Sequence, residues 1–324
     1  MRLDDRIAQS GTAEDESLCA AEGTMRAVRL NVPGGLDGLA IEEIAVPAPG
    51  TGEALVRVHA ASLTRDELGW PADRLPAIPS YELSGVVVRL GPGADGPAIG
   101  APVFALTEFD RDGVAAEYAA VPVDVLALKP TALDHVESSA VPLAALSAWQ
   151  GLFAHGHLEA GQRVLVHGAA GGVGHFATQL ARRRGAFVLG TSSHARQGLV
   201  RKLGADVAIG YEDFEEAVEP VHLVFDTVGG AVLERSLPVV RDGGWIVSVA
   251  HDPPVPRAGS GVETVYFVVE PNRAQLERLA ELIDSGDVRP MIDSVFTLSD
   301  AHAAFERSMA PGKSGKVVIR VVDE

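Results

Sequence analysis

Apolar positions fall into short runs over the first third of the chain and then change period. Met25-Arg26-Ala27-Val28-Arg29-Leu30 predicts the first strand of a domain. Ala54-Leu55-Val56-Arg57-Val58-His59-Ala60 alternates in part, as a half-buried strand does. Val86-Val87-Val88-Arg89-Leu90 runs into the turn signal Gly91-Pro92-Gly93. Prolines and glycines recur between such runs, so the stretch from Arg26 to about Lys129 reads as a barrel-like β region.

The character changes after Pro130. A helix is predicted from Asp134 to about Phe153, with Leu143, Leu146 and Gln150 near one face. Strand and helix patterns then alternate. Arg163–His167 is a buried strand, and Val173, Phe176, Ala177, Leu180 and Ala181 recur at helical spacing. Ala186–Gly190 is a strand, Ala195–Leu203 a helix stopped by Gly204, and Val221–Phe225 and Trp245–Val249 are strands. Such alternation predicts a parallel sheet wrapped by helices. Leu276, Leu279, Ala280 and Ile283 mark a helix that ends near Gly286, and a short helix runs from Asp300 to about Ser308. The strand Lys316–Val321 suggests that the chain returns to its first domain. The expected division is residues 25–145 with 272–324 in one domain and 146–271 in the other.

Composition narrows the function. The chain has 324 residues, a formal charge of −17 and one cysteine. A pI near 5.0 argues against sequence-tolerant nucleic-acid binding and against a basic membrane-surface patch. One thiol excludes a disulfide framework and a thiolate-rich zinc site. No apolar run approaches the roughly 18 residues of a spanning helix, and a signal peptide's apolar stretch is not seen, so a cytoplasmic protein is expected. Residues 1–24 are acidic and poor in large apolar side chains, which predicts a disordered tail. Cys19 lies in it and reads as inert.

The segment His167-Gly168-Ala169-Ala170-Gly171-Gly172-Val173-Gly174 follows a buried strand and opens an amphipathic helix. Glycines there permit a tight turn and a close backbone approach, and the helix N-terminus offers N–H groups to a pyrophosphate. Ala170, Gly171, Gly172 and Val173 are the expected contacts. An NAD site places an acid after the second strand, to hold the ribose 2′-hydroxyl. No acid occurs from His175 through Gly204. Ser192, Ser193 and Arg196 stand there instead, and hydroxyls with a guanidinium suit a 2′-phosphate. NADPH is therefore expected over NADH.

These motifs carry a family resemblance. Ala169–Gly174, Leu203-Gly204-Ala205-Asp206 and Phe225-Asp226-Thr227-Val228-Gly229-Gly230 stand in the order of the medium-chain dehydrogenase/reductase superfamily. So do Pro79-Ser80-Tyr81-Glu82-Leu83-Ser84-Gly85 before them and Gly315-Lys316-Val317-Val318 after them. From Met25 to about Val322 the chain most resembles the zinc-independent quinone oxidoreductase (zeta-crystallin) branch. The resemblance implies an α/β fold: a GroES-like β-barrel catalytic domain around a Rossmann doubly wound parallel-sheet domain, with NADPH and substrate in the cleft between them. It also implies a homodimer, for which Thr264–Val269 is a plausible pairing edge.

No metal is expected. Where zinc-containing relatives carry Cys, His and a second Cys or Glu, this chain has Ala61–Asp66 without a Cys, Tyr81 before Glu82, and Ser147. His155-Gly156-His157 reads as a connecting loop. Without zinc, the chemistry left is hydride transfer to an electrophilic small molecule, a quinone or an α,β-unsaturated carbonyl compound. Thr64 and Tyr81 are the expected hydrogen-bond or proton donors, with water an alternative. Tyr81 stands in place of the family's usual His, and Ser80 in place of its usual Gly. By matching motifs, Ser147 is expected near the nicotinamide amide and Tyr211 beside the 2′-phosphate. Thr227, Val228, Val249 and Ala250 are expected along the ribose, and Phe267, Val268 and Val269 past the nicotinamide. Asp66 reads as orienting Arg65 or capping the next helix. His167, His175 and Asp226 read as structural, and Trp70 as lining the substrate mouth or packing. Two alternatives stand beside the main reading: a biosynthetic enoyl reductase or reductive cyclase on a polyketide-like substrate, and a non-catalytic NADPH-binding protein.

Overall fold

The computed structural model describes residues 23–33, 35–70 and 73–322. The tail expected over residues 1–24, with Cys19, lies outside the described residues except for Gly23 and Thr24. Seven strands come first: β1 (Thr24–Leu30), β2 (Leu39–Ala45), β3 (Glu53–Leu63), β4 (Glu82–Leu90), β5 (Pro102–Leu106), β6 (Tyr118–Pro122) and β7 (Ala127–Leu128). Helices α1 (His135–Ser139) and α2 (Pro142–Trp149) follow. The alternating region is β8 (Arg163–His167), α3 (Gly174–Arg184), β9 (Phe187–Thr191), α4 (Gln197–Lys202), β10 (Val207–Ile209), α5 (Phe214–Ala217), β11 (Val221–Asp226), α6 (Gly230–Glu234), β12 (Val240–Ser248) and β13 (Glu263–Tyr266). The last elements are α7 (Arg273–Asp284), β14 (Ile292–Thr297), α8 (Ala301–Met309) and β15 (Lys316–Arg320).

Strands β8 to β13 form one parallel sheet in the order β10-β9-β8-β11-β12-β13. Their buried Val, Leu and Ile runs explain the layout, because helices cover a parallel sheet on both faces. The order reverses between β8 and β11, the crevice where doubly wound sheets bind ligands. The other large sheet has the order β14-β15-β3-β4-β5-β7, with β6 on the first half of β3. The chain thus does return: β15 lies antiparallel to β3, with Val317 opposite Leu63 and Val318 opposite Ser62. On the other side of β3, Ser62 faces Glu82 at the start of β4. Three strands far apart in sequence therefore end at one corner.

The helix expected over Asp134 to Phe153 is divided. Pro142 has no N–H to continue the ladder and opens α2 at its first turn, while Asp134 and Glu137 close a capping box on α1. After Trp149 the backbone widens into a π-turn over Gln150–His155, with Gly156 N–H bonded to Gly151 O. A Cβ on Gly151 would lie 2.2 Å from the Phe225 ring, so the glycine lets this turn sit against the sheet. Helix α2 is buried from Pro142 to Ala148 and lacks the single apolar face expected of it. Strand β4 starts four residues before the expected Val86. Gly85 hides it in sequence, where a Cβ would meet Arg57 O at 2.2 Å in the crossing strand. Leu276, Leu279 and Ile283 of α7 are buried as the helical spacing predicts, Ala280 is half-buried, and Leu282 is buried beside them.

Candidate active site

The glycine segment forms a cradle at the crevice between β8 and β11. Gly168 turns the chain at φ 74°, and a Cβ on it would stand 2.5 Å from Thr227 Oγ1. A Cβ on Gly174 would stand 2.0 Å from Gly168 O, so α3 starts against the turn only because neither position carries a side chain. His175 pins this loop. Its Nε2 accepts the Met291 N–H at 3.1 Å, so Nδ1 carries the hydrogen and donates to Gly171 O at 2.9 Å. Burial lowers its pKa to about 4, which keeps it neutral. His167 is equally structural: it bonds the hydroxyls of Thr191 and Ser236, and burial lowers it to about 3.

Beyond β9, Ser193, Arg196 and Tyr211 gather. Arg196 donates to Ser193 Oγ at 3.1 Å and to Ser314 Oγ at 2.8 Å, and also reaches Gly312 O. Burial raises the pKa of the Tyr211 hydroxyl, and the Arg196 charge pulls it down. Ser192 is buried, its hydroxyl on Ser193 O. Thr227 Oγ1 donates to His167 O at 2.8 Å, joining the ends of β11 and β8. Asp226 accepts from Gly229 N and Ser248 Oγ and clamps the ends of β11 and β12, the structural part expected of it. Val249 and Ala250 follow directly, held by Asp226 O and Ser248 Oγ. Phe267 is buried against the His155 ring at 4.4 Å, Val269 is buried, and Val268 and Val228 are exposed. Ser147 donates within α2 to Leu143 O at 2.7 Å.

A second polar corner, a candidate for catalysis, is built by strand register. With Val317 opposite Leu63, Lys316 falls beside Thr64. Its Nζ donates to Thr64 Oγ1 at 3.1 Å and pairs with Glu82 Oε1 at 2.5 Å. Glu82 accepts the Leu143 N–H through its other oxygen at 2.9 Å. Lys316 and Glu82 are both buried. Ser80 keeps the left-handed conformation of the glycine it replaces, at φ 66°, and its hydroxyl holds Ser62 O at 2.9 Å. That kink directs Tyr81 inward, where its ring is fully buried. Arg74 Nη2 donates to Tyr81 Oη at 2.8 Å, and the rings of Trp70 and Phe109 pack on Tyr81 at 5.6 and 5.2 Å. Burial raises the Tyr81 pKa, with Arg74 opposing, so the phenol keeps its proton.

Trp70 packs on Phe109 at 5.0 Å and stays 37% exposed. Asp66 precedes the turn Glu67–Gly69, but its side chain makes no cap hydrogen bond there, against the capping expectation. The neighbour Glu67 is the notable acid. It is buried with neither carboxylate oxygen hydrogen-bonded, and burial pushes its pKa well above the ordinary carboxylate value. Glu67, Arg74 and Lys316 were not singled out by sequence. The available signal was Lys316 itself, a buried lysine directly before the apolar run Val317-Val318-Ile319.

The residues at this corner do not fit a zinc ion. Tyr81 Oη is engaged by Arg74 and Glu82 by the Lys316 ammonium. Among the described residues no group of three or more His, Cys, Asp or Glu is placed to hold a metal. His155 and His157 separate, His155 onto Phe267 and His157 onto Trp245. The glycine cradle does fit a dinucleotide, since added Cβ atoms would close the space its pyrophosphate needs. No helix among the described residues is long and apolar enough to cross a membrane.

Comparison with known proteins agrees with this geometry. The family model for the alcohol dehydrogenase GroES-like domain matches residues 50–131, and that for zinc-binding dehydrogenases matches residues 203–319. A 2-methylene-furan-3-one reductase of Solanum lycopersicum is 34% identical over 97% of this chain and 84% of its own length. An NADPH-dependent alkenal/one oxidoreductase of Arabidopsis thaliana is 33% identical over 88% of this chain and 77% of its own. The solved quinone oxidoreductase from Coxiella burnetii superposes with a TM-score of 0.85 at 29% identity, covering 93% of this chain and all of that one. The chain belongs to the quinone oxidoreductase branch of the medium-chain dehydrogenase/reductase superfamily, a family of nicotinamide-dependent oxidoreductases.

Proposed function

We propose that the protein is a zinc-independent, NADPH-dependent reductase of quinones or activated α,β-unsaturated carbonyl compounds. One observation carries this reading: the glycine cradle and the catalytic corner are joined. Gly315 N–H bonds Ala170 O at 3.2 Å, and the Lys316 stem runs so close to Gly172 that a Cβ there would meet its Cδ at 3.1 Å. A cofactor on the cradle therefore lies against the residues that would receive its acceptor.

The backbone of Ala170, Gly171, Gly172 and Val173 would hold the pyrophosphate at the start of α3. Ser192, Ser193, Arg196 and Tyr211 would take the 2′-phosphate. Thr227, Val228, Val249 and Ala250 would edge the ribose, with Phe267, Val268 and Val269 beside the nicotinamide and Ser147 accepting from its amide. NADPH, when bound, supplies a hydride to the electrophilic carbon. The protein's own part is to hold the acceptor's carbonyl oxygen as negative charge grows there. Thr64 and Tyr81 suit that work. Each hydroxyl accepts from a cation, Lys316 or Arg74, which leaves its own hydrogen to donate. The groove where the two domains meet carries Glu108, Asp110 and Glu270 around Phe109 and Val268. Its charge favours neutral acceptors over polyanionic ones.

The proposed division is residues 25–145 with 272–324 and residues 146–271. A homodimer through the edge strand β13 is proposed on its terminal place in the sheet and on the exposure of Tyr266 and Val268. A cytoplasmic setting is proposed in keeping with a single cysteine. Titration with NADPH and NADH by nicotinamide fluorescence, followed by 1,4-benzoquinone and a simple enone, tests the function. Tight NADPH binding with turnover is expected, and Thr64→Val should lower kcat about a hundredfold. Binding without turnover of either acceptor would sink the proposal.

A further inference from the structure

We infer that Lys316 is a positioning residue whose ammonium aims the Thr64 hydroxyl hydrogen into the cleft. The inference rests on the reading of Thr64 as the donor to the acceptor's oxygen. An ammonium only donates, so Thr64 Oγ1 accepts along the 3.1 Å contact and its hydrogen must point elsewhere. Among the described residues that hydrogen has no acceptor. The side chain is half-buried, so part of it stays accessible. The ammonium also draws electron density from the hydroxyl oxygen, which makes the remaining O–H a stronger donor to an oxyanion.

The surroundings hold Lys316 to this task. Glu82 forms an ion pair with the ammonium at 2.5 Å and is itself fixed by the Leu143 N–H at the start of α2. The aliphatic stem is confined by Gly172 of the cofactor cradle. The lysine is thus set by Glu82 of β4 and by the glycine loop, and its ammonium reaches Thr64. A lysine retained only to pair with Glu82 would need neither the hydroxyl nor the loop contact.

The experiment is a mutant cycle in which the ion pair is neutralised as a whole, so that no unpaired charge is left buried. Lys316→Met is made in a Glu82→Gln background, with and without Thr64→Val, and Lys316→Arg is made alone. Enone reduction, NADPH affinity by nicotinamide fluorescence and Tm are measured for each. Lys316→Met is expected to lower kcat roughly ten- to a hundredfold relative to Glu82→Gln, with NADPH Kd within about threefold. Added to Thr64→Val it should cost nothing further, and Lys316→Arg should recover most of the rate. A loss that multiplies with that of Thr64→Val, or no loss, overturns the inference. Should Thr64→Val keep full kcat, the donor reading fails and this inference falls with it. Should Thr64→Val be slow while the lysine variants are not, only this inference fails. If Lys316→Met does not fold, Lys316→Arg is also combined with Thr64→Val: the small kcat change that Arg brings should vanish in that background with KM unchanged, and an equal change there overturns the inference.

Discussion

Arg74 donates to the Tyr81 hydroxyl at 2.8 Å and, from the same nitrogen, to Phe109 O at 2.5 Å. One guanidinium thereby ties Tyr81 to the loop that carries Phe109. The phenol accepts from Arg74, so its own hydrogen remains to be given. Tyr81→Phe removes that donor and keeps the ring packing against Trp70 and Phe109. It is expected to lower kcat for enones about tenfold while leaving NADPH affinity and Tm nearly unchanged. Steady-state kinetics beside a thermal melt will check this; a large fall in Tm with normal kcat would assign Tyr81 to packing alone.

Arg196 joins Ser193 to the loop before β15 through Ser314. Removing it takes away one charge-assisted contact, about 1.5–3 kcal/mol, or roughly ten- to a hundredfold in Kd. Arg196→Ala should weaken NADPH by that factor and leave NADH within about twofold. Fluorescence titration with both cofactors reads the difference. Equal weakening of both would remove Arg196 from 2′-phosphate recognition.

Glu67 couples stability to pH. Burial raises its pKa in the folded state, Glu82 adds to that, and Lys316 opposes it. The folded chain therefore holds a proton that the unfolded chain releases near the ordinary carboxylate value of 4.5. Its stabilising contribution is complete at low pH and is lost as pH rises through the folded-state pKa. Glu67→Gln, always neutral, should show a flatter dependence of Tm on pH above about pH 4.5. Parallel curves for the two proteins would show that Glu67 does not titrate in that range.

Gly174→Ala tests the cradle. The new Cβ would stand 2.0 Å from a backbone oxygen, which has no flexible end to move aside. Overpacking of this kind costs about 1–3 kcal/mol. A Tm lower by several degrees and NADPH affinity reduced at least about tenfold are expected, measured by melting and by fluorescence. Unchanged affinity would show that the loop does not bind the pyrophosphate.

The acidic groove predicts a dependence on acceptor charge. With Glu108, Asp110 and Glu270 around it, a sulfonated quinone should be reduced faster as salt screens the repulsion, by about threefold between low and high ionic strength. A neutral quinone should show little change. The comparison needs only kcat/KM for the two acceptors across a salt series.

Most of the doubly wound sheet was legible in the sequence, because parallel strands read as continuous apolar runs and the glycine segment sits where a strand meets a helix. Arg196 and the serines were legible because an acid is missing where one is otherwise expected. The division of the helix after Asp134 was not, since an alanine-rich run with few polar breaks conceals the effect of Pro142 and of the Gly151 contact with Phe225. The catalytic corner was legible only at Thr64 and Tyr81. Lys316 lies 252 residues from Thr64, and only the register of β15 on β3 joins them. Glu67 sits in a three-residue turn, too short for any period to show that it points inward while Arg65 and Asp66 remain exposed.

Strand β15 lies between β14 and β3, and β3 lies between β15 and β4. During synthesis the early strands are therefore made with a place kept open for a partner that leaves the ribosome after the whole nucleotide-binding half. Until then β3 carries an unpaired edge, and the nucleotide-binding half between them has time to fold first. The same stitch makes the last residues of the sheet a check on completeness, because a chain released before Lys316 lacks both the closing strand and the cation beside Thr64.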